Sequence, residues 1–221
     1  MILCHPQIET LIDFSVSGIP SLVIERPDFF RLLMQDFYEQ MDGKTGEFVL
    51  SENGKEYEVG TWIELIDNCL HFSLNTKTLL VKISTALEKN AVSEANFLKT
   101  SSILQEVERY IEDLSFDFNC DIECKHCSIS GLIKAVGIAL RDEYENPMER
   151  LIDYMELIRE FDKDKVFVLV NMRSFFDDDP VDQFLEILVT HGYRALLLDS
   201  VCRKLLSHER RITIDNDLCE F

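Results

Sequence analysis

An α/β fold carrying an inserted helical segment is what this sequence predicts, and three observations carry the prediction. Two near-continuous apolar runs, Lys165 to Val170 and Ala195 to Leu198, alternate with amphipathic stretches after Ser128, the pattern of strands buried on both faces of a partly parallel sheet. The stretches Asn75 to Asn90 and Ser93 to Leu114 hold no Gly or Pro and repeat apolar residues three and four apart, as two consecutive helices do. A length of 221 residues with 46% hydrophobic content suffices for one sizeable core, or a core plus a small satellite.

The elements follow in order. Leu11 to Val16 alternates apolar and polar residues, and Ser21 to Glu25 follows after Gly18 and Pro20, which predicts two strands joined by a turn. Pro27 opens a helix over 28–40, with Phe29, Phe30, Leu32, Leu33 and Phe37 near helical spacing and Asp42-Gly43 as its stop. Glu47 to Leu50 and Tyr57 to Val59 flank Asn53-Gly54, a hairpin signal because both central residues of that turn need positive φ. A short strand is expected at Trp62 to Ile66. The two central helices are expected to form an antiparallel hairpin, Leu79, Leu80, Ile83 and Leu87 facing Phe97, Ile103, Leu104, Val107 and Ile111. Helices over 129–140, 147–161 and 180–191, the two apolar strands and a final strand at Arg211 to Ile214 complete the chain. The expected domains are an α/β head of residues 1–72 and 128–221 and a helical leg of residues 73–127, the N-terminal strands joining the head's mixed, partly parallel sheet.

Charge narrows the function. Lys and Arg total 22 against 41 Asp and Glu, a formal net charge of −19, so bulk attraction to nucleic acid or to an acidic membrane is excluded. A phosphate partner must meet a local basic surface or a bridging cation. Lys77, Lys82, Lys89 and Lys99 lie on the helical segment and Lys134 on the helix after it. They form either a solvated face or, if several subunits turn them toward one channel, a field able to hold a DNA backbone. Seven unevenly spaced cysteines and no secretory apolar region near Met1 predict a reducing, cytoplasmic setting. No apolar run approaches the roughly 20 residues of a spanning helix, so a soluble protein is expected.

Motifs with chemistry are few. Gly43-Lys44-Thr45 resembles part of a phosphate-binding loop, but it leaves a helix and enters a strand, the reverse of that loop's context, and lacks the upstream glycine. Cys120, Cys124, His126 and Cys127 offer the soft ligands that zinc selects, without a second pair unless Cys69 or His71 contributes; the alternative is free thiols in a loop. Glu112, Asp113, Asp117, Asp121 and Glu123 crowd carboxylates in the same loop, either as oxygen ligands for calcium or as a solvated acidic surface. Asp177-Asp178-Asp179 before Pro180 reads as helix capping. No nucleophile elbow or zinc-protease motif occurs. Asn171 and Asp199, at strand ends, are the residues an α/β nucleotide- or small-molecule-processing enzyme would use.

The layout resembles the Csn-two family, the small adaptation proteins of type II-A CRISPR–Cas loci. The likeness rests on Leu11 to Ser15, Leu22 to Glu25 with its aromatic-rich helix, Ile63 to Asn75 running into Thr76-Lys77-Thr78-Leu79-Leu80, Gly131 to Ile138, and Asp164 to Asn171 followed by Ala195 to Asp199. The resemblance implies a head similar to a nucleotide hydrolase that has lost its phosphate loop, with a helical leg inserted in it. It further implies a ring-shaped homotetramer that needs calcium, binds double-stranded DNA ends through a lysine-lined hole and supports spacer acquisition without hydrolysis. Lys134 matches a lysine in the family's Leu-Ile-Lys segment. Asp121 and Glu123 match acidic positions between leg and head, and Asn68 falls where relatives carry Asp, so these three with the neighbouring Asp117 are the candidate calcium ligands. The sequence departs from the family at Lys125 and His126, where relatives are acidic, which leaves calcium, zinc at Cys120, Cys124 and Cys127, and no metal as alternatives.

Overall fold

The structure, a computed structural model, describes residues 1–120, 122–123 and 125–221. It is an α/β protein whose chain divides into two compact units, residues 1–72 with 144–221, and residues 73–143.

The first unit is built on a five-stranded sheet. Its strands are β3 (Ile19–Ile24), β6 (Ile63–Ile66), β7 (Val166–Val170), β8 (Arg194–Asp199) and β9 (Glu209–Ile214), in the order β6-β7-β8-β3-β9. Every pairing in this sheet is parallel. Antiparallel pairing of strands is confined to a second, four-stranded sheet of β1 (Ile2–Cys4), β2 (Ile12–Asp13), β4 (Val49–Glu52) and β5 (Lys55–Tyr57), in the order β2-β1-β4-β5. The two expected N-terminal strands therefore part company: β3 joins the parallel sheet, while β2 pairs only with β1. The β2 strand is also shorter than its alternation suggests, because Asp13 turns the chain by accepting bonds from the Ser15 amide at 2.8 Å and hydroxyl at 2.7 Å. The β4–β5 hairpin turns at Asn53 and Gly54, with φ of 52° and 77° as the sequence requires.

Helix α1 (Pro27–Met41) starts on a proline that needs no amide partner and buries Phe29, Leu33, Met34 and Phe37. These residues meet one face of the parallel sheet, through Leu22, Ile24, Val166, Val168, Val170, Leu196 and Leu198, and the inner side of the antiparallel sheet, through Leu3, Ile12 and Leu50. Phe37 stacks on Phe48 with ring centres 3.9 Å apart. The one-turn helix α2 (Val59–Trp62) leads into β6 and takes the first residue of the expected strand. The alternate residues Phe167, Leu169, Ala195 and Leu197 point to the other face of the sheet, and all are buried. That face belongs to α6 (Pro147–Phe161) and α7 (Asp178–Thr190), which bury Leu151, Tyr154, Met155, Phe184 and Leu188. Each fully buried side chain of this size contributes about 1.5–3 kcal/mol over leaving it in water.

In the second unit, α3 (Lys77–Ala91) is capped by Thr76, whose hydroxyl accepts from the Leu79 amide at 3.3 Å. A turn leads into α4 (Phe97–Ser115), and Thr100 ties it back by donating to the Ala91 carbonyl at 2.8 Å. Helix α5 (Ile129–Val136) packs on α3, so this helix, expected in the head, groups with the helical unit. It stops four residues short of its expected end because Gly137 adopts φ 74°. The side chain of Asn75 holds both backbone groups of Leu140, at 2.7 and 3.1 Å, and so joins the two ends of the unit.

Candidate functional site

The acidic excess of the chain is unevenly divided. Residues 73–143 carry 8 Lys and Arg against 11 Asp and Glu, whereas the rest of the chain carries 14 against 30. Sixteen of the nineteen net negative charges therefore sit in the α/β unit, and the helical unit is closer to balance. Within the helical unit the charges separate again: Lys77 to Lys99 holds four lysines and two glutamates, while 106–123 holds seven acidic residues and Arg109. All five lysines singled out by the sequence belong to this unit.

Their placement follows from helix geometry. Lys82 and Lys89 lie seven residues apart on α3, about 20° from each other around the axis, and share one face. Lys77, about 140° away from Lys82 around the same axis, falls on another face. Lys134 is exposed in the last turn of α5, where a cation also complements the helix dipole. It sits on α5, which packs on α3, the helix that carries Lys82 and Lys89. Lys99 is exposed near the start of α4.

The candidate metal ligands divide differently. Asp121 and Cys124 lie outside the described residues. Asp117 and Glu123 are exposed. The Asn68 amide oxygen accepts from the Leu70 and His71 amides, both at 3.0 Å, and so closes a turn after β6. Cys120 is exposed and Cys127 half-buried. Glu108, which the sequence did not single out, organises the loop: it accepts from the Cys127 amide at 2.6 Å and lies 3.5 Å from the His126 ring. Its partners are eighteen and nineteen residues away, beyond any helical or turn spacing. Among the described residues no three His, Cys, Asp or Glu converge as a metal site within one chain. Cys69 is fully buried, and burial, helped by Asp199 and Asp67, pushes its thiol up to about 12, which keeps it protonated and unreactive.

The ends of the parallel strands show what the α/β unit can and cannot do. The phosphate loop of a nucleotide hydrolase leaves a parallel strand to enter a helix, and here the turn from β3, which lies between β8 and β9, into α1 is only Glu25 and Arg26 before Pro27. No glycine is present to bring backbone amides against phosphate. Gly43-Lys44-Thr45 lies between α1 and β4, as its context predicts. Asn171, in the left-handed region at φ 49°, accepts from the Ser200 amide and hydroxyl, both at 2.8 Å, and so clips the ends of β7 and β8 together. Asp199 is 4% exposed, and burial raises its carboxyl to about 6, opposed by Arg173 and reinforced by Glu209. The expected capping by the acidic run is corrected: Asp177 makes no side-chain cap bond, and the Asp178 carboxylate is taken by Arg173 at 2.6 Å. Asp178 and Asp179 still oppose the positive end of the α7 dipole.

No helix among the described residues is long and apolar enough to cross a membrane. The family model described as CRISPR-associated protein (Cas_Csn2) matches residues 40–218. That span runs from the end of α1 through most of the parallel sheet and the whole helical unit, and the chain belongs to the Csn2 family of CRISPR-associated proteins.

Proposed function

We propose that this protein is a non-enzymatic, cytoplasmic ring, a homotetramer that binds the ends of double-stranded DNA without regard to sequence and supports spacer acquisition in CRISPR defence. The observation that carries the reading is the charge partition. A chain of net charge −19 offers a polyanion a tolerable surface only on its near-balanced helical unit, where Lys82 and Lys89 share a face of α3 and Lys134 sits on the adjoining α5. One subunit supplies too few lysines to hold a duplex, and several copies around one channel multiply them. Self-association has a surface to use: α4 buries none of its residues completely, and Phe97, Ile103, Tyr110, Ile111 and Leu114 are all more than 40% exposed. Calcium enters as a bridge between copies. Asp117 and Glu123, with Asp121, are carboxylates that would repel those of a neighbouring subunit until a divalent cation joins them. Docking of other CRISPR adaptation proteins and of the RNA-guided nuclease belongs to the same proposal.

The absence of glycine between β3 and α1 supports a role without nucleotide hydrolysis. One observation favours a second reading, an α/β enzyme: Asp199 is a buried carboxyl at a strand end with a raised pKa, as catalytic acids often are. Measurable nucleotide turnover by the purified protein would favour that reading. The test of the first is Lys134→Glu, alone and with Lys82→Glu and Lys89→Glu, measured against linear duplex DNA across a salt series. Progressive loss of affinity and a shallower salt dependence are expected, with unchanged circular dichroism. Unchanged affinity in the triple variant would remove the helical unit from the DNA site.

A further inference from the structure

A second surface, on the outer side of the α/β unit, is built for a different kind of partner. Helices α6 and α7 leave between their N-terminal halves an apolar cleft of about 400 Å³. Met148 and Phe184 form its floor, and Ile152, Ile187, Phe176 and Pro180 its walls. The floor is nine-tenths buried or more, while the wall residues are half-buried or exposed. The cleft thus continues the core outward instead of ending it.

Charge decides what fits there. The exposed positions of α6 at helical spacing are Glu149, Asp153, Glu156 and Glu160, one acidic stripe about 16 Å long. Across the cleft, α7 exposes Asp179 and Glu186 and contains no Lys or Arg at all. The two arginines of α6 are turned to other work: Arg150 donates to the Leu70 and Phe72 carbonyls and lies over the Phe72 ring, and Arg159 donates to the His191 carbonyl and lies over Tyr193. The result is an apolar furrow with carboxylates along both margins. The α/β unit of a second copy, with 14 Lys and Arg against 30 Asp and Glu, is repelled by such a frame. A small apolar ligand would use the furrow and leave the stripes unused.

We infer that the α6–α7 furrow is a docking site for a basic amphipathic helix of a partner protein, its apolar face in the furrow and its lysines or arginines on the two acidic margins. The surface is separate from the lysine-bearing helical unit, so the inference stands or falls independently of DNA binding.

The test uses the full chain and two synthetic helical peptides of about 18 residues with identical lysines, one with leucines at i, i+3, i+4 and i+7 and one with serines there, titrated by fluorescence anisotropy at about 0.15 M salt. The leucine peptide is expected to bind at least tenfold more tightly than the serine peptide. Ile187→Glu should abolish that preference, and Gln183→Lys, an exposed change at the cleft, should weaken binding at least fivefold without affecting the fold. Glu149→Lys with Glu156→Lys should do the same, and linear DNA binding should be unaltered in all variants. Equal binding of the two peptides would reduce the surface to general acidity and overturn the inference. It would also be overturned by no binding, by affinity indifferent to Gln183→Lys, or by self-association that Ile187→Glu removes.

Discussion

Arg173 and Glu209 form an ion pair sealed inside the α/β unit, with Nη1 3.4 Å from Oε2 and side chains 3% and 0% exposed. Arg173 also donates to the Lys204 carbonyl at 2.7 Å, and Arg211 reaches the other Glu209 oxygen at 2.7 Å. Arg211 continues to the carbonyls of Arg203 and Lys204. The three charges pin the connection between β8 and β9, which steps over β3 in the parallel sheet. Replacing Arg173 by Met leaves Glu209 paired with Arg211 alone and deprives Asp178 and the Lys204 carbonyl of their donor, so the expected loss of stability is about 1.5–3 kcal/mol. Urea denaturation measures it, and a loss below about 1 kcal/mol would mean that this pair is not holding the connection.

Asp199 makes stability depend on pH in an unusual direction. Burial pushes its folded carboxyl up to about 6, above the ordinary carboxylate value of about 3.9, so the folded state holds the proton more tightly than the unfolded chain. Below about pH 4 both states are neutral there and nothing is lost. As pH rises to 6 the unfolded chain ionises first, and stability falls by an amount on the order of 3 kcal/mol, then stays level. Asp199→Asn removes this loss. Thermal melts from pH 4 to 7 should show the variant gaining on the parent through that window, whereas parallel curves would place the Asp199 carboxyl in water.

Gly60 lies where α2 meets α1, and a Cβ added to it would stand 2.5 Å from the Gln40 carbonyl oxygen. Because the obstacle is backbone, no side chain can swing aside. Gly60→Ala should therefore cost about 1–3 kcal/mol in denaturant titration. Gly43, where nothing lies within 4 Å of the added atom, serves as the comparison: its φ of 76° should make Gly43→Ala a strain effect alone.

The fold was legible wherever periodicity and turn chemistry agreed. Pro27 and Asp42-Gly43 bounded α1, Asn53-Gly54 marked the hairpin, and the runs at Val166 and Leu196 announced buried parallel strands. What was not legible depended on tertiary partners. Ile2–Cys4 is too short to show alternation and becomes a strand only because β2 and β4 lie on either side of it. Apolar residues on α3 and α4 suggested a closed hairpin, yet Leu87, Phe97, Ile103 and Ile111 remain more than 40% exposed, since two helices alone cannot bury all their apolar faces. The lysines were visible as residues, but the shared face of Lys82 and Lys89 needed the helix to be continuous between them. Glu108 and the Arg173–Glu209 pair gave no signal, because these contacts join residues 18 to 36 positions apart.

Divalent cations should matter to assembly rather than to folding. With calcium, sedimentation velocity should show a tetramer, and a chelator should shift it to smaller species while circular dichroism stays constant. Replacing Asp117 and Glu123 by Asn and Gln should imitate the chelator. A sedimentation coefficient indifferent to calcium, chelator and these substitutions would detach the acidic loop from assembly.

The proposed closed ring would take DNA by its ends, and this is measured directly by a binding titration of linear against covalently closed circular duplex of equal length, each with calcium and with a chelator. The linear form should bind in calcium, the circle should bind far more weakly, and the chelator should remove the difference. Equal binding of both forms, or no binding of either at low salt, would contradict it.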